Sequence, residues 1–91
     1  MATSNERTFF VESYVSNLDE AAAATLSARL RTAVDELRQE GCALEWLRSF
    51  AFIDEETFVW MLTADDSDSV VLVNERAGVS CDHVVEAFPG G

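Results

Sequence analysis

The sequence has no lysine, one histidine, one proline, two cysteines and four glycines, and each shortage removes a class of function or fold. Two cysteines are too few for a disulfide scaffold, and a reducing compartment would keep Cys42 and Cys81 as thiols. The glycines form no phosphate-cradling loop. A lone histidine, with no serine set in a glycine elbow, leaves nucleophilic catalysis little support. Positive charge is equally scarce. Six arginines face 17 acidic residues, and the resulting net charge of -11 would repel nucleic-acid phosphates and anionic lipid surfaces. Arginine alone carries the basic charge, a usage of the kind found in GC-rich bacterial genomes. No apolar run approaches the 18 or so residues of a membrane span, and the N-terminus lacks a basic region followed by an apolar stretch. A cytoplasmic protein that binds neither nucleic acid nor membrane is expected.

What is present suffices for one small core. The 91 residues are 48% hydrophobic and 25% charged, the balance of a globular domain. Residues 1–7 are polar and expected to fray, 8–88 form the single domain, and 89–91 are a tail. A domain of this size buries only about 60–65% of its unfolded surface, so self-association would add burial it lacks.

Periodicity orders the elements. Thr8–Val15 is aromatic and β-branched on both faces, with Phe9, Val11, Ser13 and Val15 on one and Phe10, Glu12 and Tyr14 on the other, and predicts a strand buried on both sides. Asn17, with Glu20 three residues on, predicts a capping box opening a helix over 18–40. Its apolar stripe is Ala22, Leu26, Leu30, Ala33 and Leu37, and Gly41 is its stop. A period of two over 43–53 puts Leu44, Trp46, Phe50 and Phe52 on one face, with Arg48 the exception. The charged turn 54–56 joins this strand to a second one over 57–64, as a hairpin. The acidic stretch 65–69 leads into a short helix stopped by Gly78, and 83–88 form a last strand.

Strand, helix, strand, strand, helix, strand is the ferredoxin-like βαββαβ arrangement of the α+β class: two helices on one face of a four-stranded antiparallel sheet. The other face needs cover. A homodimer stacking sheet on sheet, as a dimeric α+β barrel, would supply it. The expected strand order 4-1-3-2 separates Cys42 from Cys81 by about 14 Å, too far for a disulfide.

The chain also resembles a family of small bacterial ferredoxin-like proteins of unknown function, often labelled nickel-binding-protein-like. The likeness spans residues 8–88. It rests on Phe10-Val11-Glu12-x-Tyr14, Trp46-Leu47-Arg48-Ser49, Asp54, Asn74-x-x-Ala77-Gly78 and Val84-Val85-Glu86. The resemblance implies nickel or another divalent transition metal as ligand. The chain departs from the family in having Ser80 where a proline often follows the glycine, and in offering His83 alone where many members carry further histidines.

The candidate residues each admit two readings. Cys81 and His83 share a face if both lie in a strand, and thiolate and imidazole together suit nickel, zinc or copper; a buried thiol beside a surface imidazole is the plainer reading. Glu12 beside Tyr14 could transfer protons in a cavity, or Glu12 could face solvent or pair with Arg48 while Tyr14 packs. Arg48 could hold an anion or answer an acidic neighbour. Trp46, Phe50, Phe52, Phe58 and Trp60 could line an apolar pocket or simply fill the core, and Asn74 could donate toward a ligand or cap its helix. These readings support a dimeric binding protein for a small ligand, nickel by resemblance. The alternative is a small dimeric enzyme, such as a cyclase, isomerase or cofactor-independent oxygenase, acting on an apolar metabolite.

Overall fold

A computed structural model describes residues 6–88 and Gly90; the rest of the expected N-terminal segment, and Pro89 and Gly91 of the tail, lie outside the described residues. The elements are β1 (Arg7–Tyr14), α1 (Glu20–Gln39), β2 (Leu44–Phe52), β3 (Thr57–Ala64), α2 (Ser67–Ala77) and β4 (His83–Ala87). Every strand pair is antiparallel, and the sheet order β2-β3-β1-β4 is the one expected. β3 and β1 are therefore central, and β2 and β4 are the edges.

Local chemistry sets the helix ends, once against expectation. Asn17 is not the cap of α1; it sits at φ 61, and its N–H donates to Glu56 Oε2 at 2.6 Å. Asp19 takes the cap instead, its Oδ1 accepting from the Ala22 N–H at 2.7 Å, so α1 begins two residues later than predicted. Asparagine and aspartate can both cap a helix and both can take a left-handed turn, so the chemistry of the two side chains alone does not choose between them. α2 follows the prediction: Asp66 Oδ1 accepts from the Ser69 N–H at 2.9 Å, and Gly78 ends the helix at φ 70. Arg29 of α1 reaches across to that end, donating from Nε and Nη2 to Ala77 O at 3.1 and 2.6 Å and from Nη2 to Gly78 O at 3.1 Å. It thereby satisfies carbonyls that the helix leaves open and ties the two helices together.

The core lies between the helices and one sheet face. Trp60, Phe58 and Leu62 of β3 and Phe9 and Val11 of β1 meet Leu30, Val34 and Leu37 of α1 and Val70 and Val73 of α2. Burial on one face only corrects the expectation that β1 is covered on both: Phe9, Val11 and Ser13 are buried, Phe10 and Glu12 are half-buried, and Tyr14 is 54% exposed.

β2 contains the main departure. Trp46 pairs with Leu62 but Arg48 pairs with Met61, so Leu47 is an extra residue, a bulge, and the strand changes faces across it. Leu44 and Trp46 point toward the helices before the bulge; Ser49 and Ala51 do so after it. Arg48, Phe50 and Phe52 are turned to the open face. The five aromatics expected to act together are thereby split. Trp46 stacks on Trp60 at 5.5 Å and 13° within the helix-side layer with buried Phe58, while Phe50 and Phe52 are exposed. Small residues after the bulge let α1 approach, and the Ser27 and Ser49 hydroxyls meet at 2.8 Å.

Candidate functional site

The open sheet face is where most of the candidate residues converge, and the strand register defines its rows. One row runs Phe50–Val59–Glu12–His83 across the four strands, the next Arg48–Met61–Phe10–Val85, and Phe52–Thr57–Tyr14 and Glu45–Thr63–Thr8–Ala87 flank them. The result is an apolar floor with polar groups at its margins: Arg48 on the β2 edge, and Glu12 with His83 toward the β4 edge. Phe50, Phe52, Tyr14 and Val85 are 45%, 48%, 54% and 55% exposed. That is a large apolar surface for a chain so acidic.

Several contacts hold His83 in its row. Asp82 donates its N–H to Glu12 O at 2.9 Å and its Oδ2 accepts from the Tyr14 N–H at 2.8 Å, so the entry to β4 is fastened to β1. Ser13 Oγ donates to Ser80 O, and Asn74 Nδ2 donates to Val79 O at 3.2 Å and Ser80 O at 3.4 Å. With this segment pinned, His83 stands directly opposite Glu12, and its ring meets that of Tyr14 edge to face at 5.9 Å. The face thus assembles a carboxylate, an imidazole and a phenol. The pairing of Glu12 with Tyr14 was legible in strand alternation; the arrival of His83 beside them was not, because it depends on β1 and β4 being neighbours.

Arg48 makes no ion pair among the described residues, Glu12 included. Its guanidinium lies instead over the Phe50 ring, 6.0 Å from the centroid. Two pocket candidates stand elsewhere. Trp46 belongs to the helix side, where Arg31 lies over its ring at 5.9 Å, and Asn74 is buried in α2 at 3% exposure, serving the turn after its own helix. Asn74 is thus a positioning residue for the segment that delivers His83.

The two candidate metal ligands diverge. Cys81 precedes β4 and packs against the core cluster on the helix side, whereas His83 begins the strand on the open face, so strand alternation does not bring them together. Burial, and then the negative charge of Asp82, push the Cys81 thiol above its ordinary pKa, which disfavours the thiolate that binds metals. Among the described residues no group of three or more His, Cys, Asp and Glu side chains is placed to hold a metal ion. The described residues of one chain therefore do not by themselves assemble a donor set for the nickel implied by resemblance. Both cysteines are free thiols, as expected.

A shallow cleft of about 510 Å³ opens where α1 hands over to β2 and reaches the Glu45–Thr63 row at one end of this face. Arg38, Cys42, Glu45 and Asp65 are on its walls, and of the candidate residues named from sequence none lines it. Among the described residues no helix is long and apolar enough to cross a membrane.

No family model matches the chain, and no curated protein does. Comparison with solved structures finds the crystal structure of SCO4226 from Streptomyces coelicolor A3(2), with a TM-score of 0.78 at 13% sequence identity. The match covers 92% of this chain and 99% of that one. The likeness is one of architecture, and the chain is a ferredoxin-like α+β domain with one sheet face packed and the other open.

Proposed function

We propose that the protein is a homodimeric binding protein whose two copies stack open face on open face and hold a small organic ligand between the sheets. The observation that carries this reading is the open face itself, where Phe50, Phe52, Tyr14 and Val85 are about half exposed around a centre in which Val59, Thr57 and Thr63 are already buried and Phe10, Glu12 and Met61 are half-buried. β1 has the sequence of a strand buried on both sides, yet in one chain only one side is covered.

A second copy suits the face in size and in charge. Four strands about 4.8 Å apart and eight residues of about 3.3 Å each outline roughly 500 Å² in projection. Two such faces together approach the roughly 1,000 Å² or more that marks a specific interface. Of the 17 acidic residues in the chain, the register places Glu12 and Glu45 on this face, beside Arg48 and His83, so it is nearly neutral on an otherwise strongly negative molecule. Two copies meet there with least repulsion.

The cluster of Glu12, His83 and Tyr14 favours a second reading, in which the same enclosed face performs proton transfer on an apolar substrate. Nickel would draw on donors from both copies, since the described residues of one chain do not assemble a set of three. Sedimentation equilibrium over a wide concentration range, on tag-free protein stripped with chelator, tests the assembly. A dimer is expected, and a monomer at every concentration would overturn the reading.

A further inference from the structure

From the layout of the open face we infer that its ligand is an amphipathic organic monoanion, a carboxylate carried on an aromatic or aliphatic body, with Arg48 as its anchor. This rests on the binding reading above and names the class of molecule bound. Arg48 is an arginine at the margin of an apolar floor, with no carboxylate among the described residues within ion-pair distance. Its guanidinium rests on the Phe50 ring, which holds the planar donor fork at the edge of the floor and leaves its N–H groups to a ligand.

The floor fixes the rest of the molecule. Met61, Phe10 and Val85 continue the Arg48 row across the sheet, and three strand spacings make it about 14 Å from Arg48 to the far edge. A carboxylate on Arg48 therefore projects its body over Met61 and Phe10, toward Glu12 and His83 in the adjacent row. One cation, with Glu12 and Glu45 on the same face and a net charge of -11 around it, suits a single negative charge and disfavours phosphate esters. Cover by the second copy would exclude water and strengthen the Arg48–carboxylate bond.

The test uses 2-naphthoate and its uncharged counterpart 2-naphthylmethanol as probes, in calorimetric titrations of the parent and of Arg48→Met, with the mass of each sample measured by sedimentation. Saturable naphthoate binding is expected. Arg48→Met should weaken it at least tenfold, leave the alcohol unchanged and leave the dimer intact. A dimeric parent that does not bind naphthoate, or binds it equally well without Arg48, overturns the inference. Dissociation of the Arg48→Met dimer would do so too, by assigning the guanidinium to the partner's carboxylates. A monomer that binds naphthoate through Arg48 would sustain the anchor and refute the pairing, and a monomer that does not bind would refute both.

Discussion

Replacing Phe50 by serine should break the dimer while sparing the fold. Phe50 is 45% exposed in the single chain. A phenylalanine presents on the order of 200 Å² of side chain, so about 90 Å² remains for a partner to cover. At about 25 cal/mol per Å² that area is worth about 2 kcal/mol, and a twofold interface counts it twice, about 4 kcal/mol per dimer. The corresponding loss is about a thousandfold in dissociation constant. Imperfect packing and side-chain ordering reduce the yield of area in real interfaces, so about a hundredfold is the smallest shift consistent with the reasoning. Sedimentation equilibrium of the parent and of Phe50→Ser measures it. Val71→Ser is the matched control: Val71 is similarly exposed, at 42%, but lies on the outer surface of α2, away from the open face. It should leave the dimer unchanged. A Phe50→Ser dissociation constant raised by less than about a hundredfold, or an equal effect from Val71→Ser, would refute the assignment of the open face as the interface.

Two further predictions concern the scaffold. Gly78→Ala must hold a Cβ at φ 70, and that Cβ would lie 2.8 Å from Arg29 Nη2, so it should cost about 1–3 kcal/mol in urea unfolding, and clearly less in an Arg29→Met background; additive losses would show that Arg29 does not crowd this position. Hydrogen bonds from the N–H and hydroxyl of Ser69 hold Asp66 below the ordinary value of 3.8, and Arg76 holds Glu40 below 4.5. Because both are lowered by folding, their contribution is present above those ordinary values and is lost as pH falls through the lower folded ones. Asp66→Ala should therefore lower the urea midpoint at pH 7 and flatten the loss of stability on acidification below about pH 4, and an acid limb as steep as the parent's would contradict the cap.

Much of this architecture was legible because it depends on local periodicity. The α1 stripe that includes Leu30, Ala33 and Leu37, the alternation of Phe58, Trp60 and Leu62, and the stop at Gly78 are set by residues within a few positions of one another. So is the separation of Phe9, Val11 and Ser13 from Phe10, Glu12 and Tyr14. The cap of α1 was misplaced because Asn17 and Asp19 offer the same chemistry, and the choice turned on the contact of Asn17 with Glu56, 39 residues away. The bulge at Leu47 was visible only as Arg48 breaking the alternation. That break can mean a polar residue in an apolar row or a change of face, and pairing with β3 selected the second.

The sequence by itself determined the acidic charge, the element order and an excess of apolar side chains over what two helices can cover, since these follow from composition and short-range repeats. Only the tertiary structure decided which of those side chains share a surface. The bulge carried Arg48, Phe50 and Phe52 to the open face and left Trp46 with the core, and the pairing of β4 with β1 set His83 beside Glu12 and Tyr14 and away from Cys81. The physical reason is that a sheet joins residues through hydrogen bonds between distant segments, and a one-residue change of register turns every following side chain to the other face.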